Sequence, residues 1–110
     1  MSKMVDLVLS KPEYERNIPG TDIVRNCRKD EIEFLEMLFT VGFSGEKNLK
    51  EAVVYIELLD ELKNIGPEDE KISYSADDIK RLQDAYAKVA QKNPVLMLTV
   101  ADLIKQLAKA

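Results

Sequence analysis

A chain of 110 residues that is 45% hydrophobic and 33% charged has the size of one domain and enough apolar content for one continuous core, which argues against disorder and against a second domain. Sixteen basic against twenty acidic residues give a formal charge of -4, so the chain lacks the general basic field that attracts phosphate backbones or anionic lipid. With no histidine and one cysteine, Cys27, the usual general base, the usual zinc ligands and an intramolecular disulfide are all excluded.

Residues 5–9 mix a short strand pattern with a helical turn and read as a strand. Asp6 breaks this run, which has the flanks of neither a signal peptide nor a membrane span, so the expected location is the cytoplasm. Ile18-Pro19-Gly20-Thr21 is a turn signal, because Pro fixes φ and Gly accepts backbone angles that other residues avoid. Residues 1–21 therefore read as an extended arm laid over the body, anchored by Tyr14 and Ile18. Residues 22–110 read as a single helical domain.

Two readings of residues 22–41 compete. Either one helix spans them, or a turn ends near Arg28 and a helix begins at Asp30, where Asp30 and Glu33 have capping-box spacing. In both, Ile32, Leu35, Leu38 and Phe39 form the buried stripe and Gly42 is the stop. Residues 44–67 hold the longest helical pattern, with Ser44 as its cap and Gly66-Pro67 as its end, and the rest of the chain is expected to pack around it. Its face of Leu49, Ala52, Val53, Ile56, Leu59 and Leu62 is expected to be buried. A flanking row of Tyr55, Leu58, Leu62 and Ile65 makes the helix apolar over more than half of its circumference.

Residues 72–74 read as a short strand that can pair with residues 5–9. Ser75 then caps a third helix starting at Ala76, with Asp78 at N3 and Tyr74 and Ile79 placed as a hydrophobic staple. That helix should end by Lys92 or Asn93, since Pro94 disfavours α geometry in the residue before it. A fourth helix starts either at Asn93-Pro94 or later, at residues 99–102, with an extended segment before it. Sliding the chain by 47 residues pairs Asp30 with Asp77, Leu35 with Leu82, Phe39 with Tyr86 and Leu49 with Leu96. Either an ancient duplication or the coincidence of two amphipathic helix pairs produces such a register. The expected fold is all-α or nearly so: four main helices as two helix–loop–helix pairs, with one minor two-stranded ribbon.

Chemistry finds few footholds in this sequence. No phosphate-cradling glycine motif or nucleophile elbow is present, and the loops of the helix pairs lack the alternating oxygen ligands and terminal Glu of a calcium site. The acid groups Asp30/Glu33, Asp60/Glu61, Glu68-Asp69-Glu70 and Asp77/Asp78 have cap, surface or loop explanations. Cys27 between Arg25 and Arg28 is either a reactive thiol or a buried structural one. No cofactor, metal or catalytic residue is expected. The favoured reading is a non-enzymatic protein–protein interaction module, an adaptor, inhibitor or assembly factor, that binds another protein or a second copy of itself. Its partner surface is placed at Phe43, Tyr55, Leu58 and Leu62, with Glu57 and Glu61 as a polar rim. The alternative is a small nucleic-acid-associated regulator using Arg25, Arg28 and Lys29 or Lys80, Arg81, Lys88 and Lys92.

Overall fold

The computed structural model describes residues 4–89 and 98–110. In chain order these form β1 (Met4–Val8), β2 (Glu15–Asn17), β3 (Val24–Asn26), α1 (Cys27–Ser44), α2 (Leu49–Lys63), β4 (Lys71–Ser75), α3 (Ala76–Val89) and α4 (Ala101–Lys109). The architecture is mainly helical, with two small antiparallel ribbons, β1–β4 and β2–β3, where the sequence pointed to one at most.

The ribbon expected between residues 5–9 and 71–74 is present, with Val5 opposite Tyr74 and Leu7 opposite Ile72. Alternation along it turns Leu7 and Tyr74 into the core, while Met4 and Val8 face outward. The second ribbon is a hairpin closed by residues 18–21. Thr21 N–H donates to the Ile18 carbonyl at 3.1 Å, and Gly20, at φ 79°, takes the position where a type II turn requires a left-handed residue after proline. Its strand β2 is fully exposed. The arm is thus held by Leu7 and Leu9, which are buried, and not by Tyr14, which lies exposed on the approach to the hairpin.

The chain is organised around α1, not around residues 44–67. This helix packs against both α2 and α3, and Phe34, Leu35, Leu38 and Phe39 are completely buried on it. It begins at Cys27, because the Asn26 side chain accepts from Lys29 N–H at 2.8 Å and caps the first turn. Asp30 cannot serve as the cap, since its carboxylate is turned inward onto the Arg25 guanidinium, at 2.7 and 2.9 Å. The helix also runs through Gly42 to Ser44, with Gly45 as its C-cap. A Cβ at Gly42 would stand 2.5 Å from Tyr55 Cε1, so glycine here serves close helix packing rather than a stop.

Ser44 accordingly closes α1, its hydroxyl donating to the Val41 carbonyl at 2.9 Å, and Asn48 caps α2 by accepting from Lys50 and Glu51 N–H. The helix ends at Lys63 with Asn64 as its C-cap, before Gly66-Pro67. The start of α3 agrees with the sequence reading: Ser75 Oγ accepts from Asp78 N–H at 3.2 Å, and Tyr74 and Ile79 are both buried. The expected end at Lys92–Asn93 and the start at Asn93-Pro94 lie outside the described residues. The later start agrees with α4, which begins at Ala101 and packs on α3 and β1, but Leu98 and Thr99 before it are helical rather than extended. In the 47-residue register Leu35 and Leu82 are both fully buried, yet buried Asp30 is paired with exposed Asp77, and Leu96 lies outside the described residues.

Candidate functional site

The face of α2 that meets the core decides where a partner surface can lie. Tyr55, Leu58 and Leu62 point inward and are at most 8% exposed. The ring of Tyr55 rests against Gly42, lies 6.4 Å from that of Phe39, and has the Arg81 guanidinium 6.0 Å from its centroid. Desolvation raises the Tyr55 hydroxyl above its ordinary pKa, with Arg81 acting in the opposite sense. Three of the four residues assigned to a partner surface are therefore core residues, and only Phe43 is exposed.

The opposite face carries the reverse correction. Leu49, Val53 and Ile56, expected to be buried, are 83%, 47% and 45% exposed. They recur at i, i+4 and i+7, which stacks them along one side of the helix. Sequence periodicity found both rows. It could not tell which row faces inward, because a helix apolar over more than half of its circumference has too narrow a polar side to fix its rotation.

Charged groups missed as a cluster gather at the N-terminal turn of α1. Arg28, Asp30 and Glu31, and Thr99 that meets Asp30 from elsewhere in the chain, are each at most 6% exposed. Glu31 accepts from the Ser10 N–H at 2.7 Å and the Ser10 hydroxyl at 2.6 Å, tying the end of β1 to α1. Arg28 donates to the carbonyls of Gly66 at 2.6 Å and Ser10 at 3.3 Å. Burial is the main influence on Glu31 and raises its pKa, aided by Asp102, against the lowering by Ser10 and Arg28. Asp30 shifts down, because Arg25 and then Thr99 hydrogen-bond to its charged form. Each of these groups is hydrogen-bonded within the fold, which suits a structural node better than a catalytic one. Cys27 is buried beside them, and desolvation together with Glu31 raises its thiol pKa, opposite to the shift of a reactive cysteine.

A shallow groove of about 440 Å³ runs past this node, between Lys29 and Ile32 of α1 and Ile65 and Pro67 of the loop after α2. Its rim mixes Lys29 with Glu33 and Glu36, so no single charge converges on a ligand. An apolar cleft of about 120 Å³ between Tyr86 and Leu107 is far below the volume of an ordinary small-molecule site. No group of three or more His, Cys, Asp or Glu among the described residues could hold a metal ion.

Of the basic residues considered for nucleic acid, Arg25 and Arg28 are engaged as described. Arg81 holds Glu51 with two nitrogens at 2.9–3.1 Å and Asp78 at 2.7 Å. Lys29, Lys80 and Lys88 remain exposed, and Lys92 lies outside the described residues. No described helix is long and apolar enough to cross a membrane. Comparison with family models, curated proteins and solved structures returns no match to this chain.

Proposed function

We propose that this domain is a non-enzymatic protein–protein interaction module, of the adaptor, inhibitor or assembly-factor kind, whose docking surface is the outer face of α2. The observation that carries this reading is the row of Leu49, Val53 and Ile56 on successive turns of α2, exposed on the side away from the core. Single exposed apolar residues are ordinary on any protein surface. A contiguous row on one rigid element is the form an interaction site takes. Phe43 stands at the same end as Leu49, since residues 45–48 alone separate α1 from α2.

The buried acids at the start of α1 support the non-enzymatic side of this reading. Asp30 and Glu31 are both 1% exposed and hydrogen-bonded within the fold, so neither is offered to a substrate. Nucleic-acid binding draws little support, because all four arginines that could grip phosphates have intramolecular partners, Arg16 donating to the Leu98 carbonyl. The test is the doubly substituted Val53→Glu, Ile56→Glu chain beside the wild type. It should keep its helical circular dichroism and lose association with itself or with any protein the wild type retains. Equal retention by both chains would overturn the proposal.

A further inference from the structure

Resting on the reading of α2 as the docking surface, we infer that its occupant is a second copy of this chain, with the two α2 helices packed antiparallel about a two-fold axis. The spacing of the exposed row is that of a coiled-coil seam. Leu49, Val53, Ile56, Asp60 and Lys63 follow each other at alternating steps of four and three, so Val53 and Asp60 take a positions and Leu49, Ile56 and Lys63 take d positions. In an antiparallel pair, Val53 of one copy lies level with Ile56 of the other, and the same contact is repeated by symmetry.

The flanks then decide orientation and partner. On one side of the seam the e positions are Lys50 and Glu57, both exposed. Antiparallel packing sets Lys50 of each copy beside Glu57 of the other, giving two opposite-charge contacts. On the other side the g positions are Ala52 and Leu59, both half-buried, which meet as an apolar pair. A parallel arrangement would instead stack Asp60 on Asp60 and Lys63 on Lys63 across the seam, while antiparallel packing also opposes the helix dipoles favourably. An outer face with an apolar Val53–Ile56 centre and a Lys50–Glu57 flank complementary to itself when reversed matches a copy of itself. Leu49 of each copy is then level with Asp60 of the other at the ends of the seam.

The seam involves one helix of 15 residues, about 22 Å long, so the interface falls below the standard size and the dimer should dissociate on dilution. Light scattering of the full chain should show mass rising from monomer toward dimer between low micromolar and near-millimolar concentration. Lys50→Glu and Glu57→Lys should each weaken this association at least tenfold, because each places two like-charge contacts in the homodimer. Mixed in equal amounts, the two variants should recover a dimer, since each copy then presents the charge the other lacks. A general structural role for either residue would not produce that recovery. A dimer indifferent to both charge changes, or no recovery on mixing, would overturn the inference.

A wild type that stays monomeric would also overturn it, and thiol labelling of Val53→Cys and Ile56→Cys then separates two cases. Fast labelling in the monomer leaves the face open, so the wider reading stands with a different partner. Slow labelling means that the chain itself covers the row, and both readings fall.

Discussion

Tyr74 carries its hydroxyl into the core without a hydrogen-bond partner, and it is the buried side-chain polar atom among the described residues of which this holds. Its ring is 1% exposed and meets Phe39 edge-on at 5.6 Å, so the aromatic body is well packed while the oxygen is desolvated for no return. Burial raises its pKa far above that of free tyrosine. Tyr74→Phe keeps the ring contact and removes the stranded oxygen, and should raise unfolding stability by about 1 kcal/mol in urea titration. Adjacent Asp30 and Glu31 respond to pH with opposite signs. For Glu31, burial raises the folded pKa above the unfolded value of about 4.3, so its contribution is complete below that pH and is lost as pH rises through the raised value. For Asp30 the folded pKa lies lower, so its contribution is present above about pH 3.9 and is lost as pH falls through the folded value. Urea midpoints at stepped pH should therefore show Glu31→Gln gaining on the wild type toward neutral pH, and the deficit of Asp30→Asn shrinking toward acid pH. A Glu31→Gln difference that is the same at every pH would remove the account of that residue.

At the scale of elements, the contact between α1 and α2 depends on a missing side chain. The Tyr55 ring fills the space that a Cβ on Gly42 would occupy, with ring atoms at 2.5 and 2.7 Å from its position and the hydroxyl oxygen at 2.9 Å. In an open helix, alanine for glycine would gain up to about 1 kcal/mol. Here Gly42→Ala forces the ring or the helix to move and should cost about 1–3 kcal/mol net. Tyr55→Phe should not relieve the clash, because the ring remains, whereas Tyr55→Leu should, so a double-mutant cycle separates crowding from loss of the hydroxyl. This contact also marks what the sequence could reveal. Ser75, Tyr74 and Ile79 are close in sequence, and the start of α3 was legible from their spacing alone. Gly42 is a stop signal by local chemistry, and only Tyr55, from another element, makes it a helix interior. Asp30 is similar: it has the spacing of a cap, but the bidentate bond from Arg25 turns it inward, and Arg25 belongs to a hairpin too short and too exposed to show an apolar period. The candidate site was half legible for the same reason. Both apolar rows of α2 stand in the sequence, but their inward and outward assignment is fixed by contacts with Phe39, Gly42 and Arg81, which periodicity does not contain.

Across the whole molecule, β1 acts less as an arm than as the strand that joins the other layers. It pairs with β4 through all five of its residues, places Leu7 in the interior, and leads through buried Leu9 to Ser10, whose N–H and hydroxyl meet buried Glu31 of α1. Leu9 N–H donates to the Glu70 carbonyl, so the alternation of an antiparallel ladder turns the amide group of Val8 away from β4. The Gln106 side chain of α4 takes that group, accepting from Val8 N–H at 2.7 Å and donating to its carbonyl at 2.9 Å, as a neighbouring strand would. One short segment thus binds β4, α1 and α4 together. Removing residues 4–10 exposes the space of Leu7 and Leu9, worth about 1.5–3 kcal/mol each, leaves β4 unpaired, and strips Glu31 of both donors. Against a total stability of about 5–15 kcal/mol, that loss should abolish the cooperative urea transition rather than trim it. Replacing residues 19–22 by Asn-Gly, which keeps the hydrogen-bonded Ile18–Ile23 pair, is the matched control. It shortens the β2–β3 turn, whose strand β2 is exposed throughout, and should leave the transition close to that of the wild type. If the deletion unfolds as cooperatively as the control, the first strand is an appendage, and the helices hold the core without it.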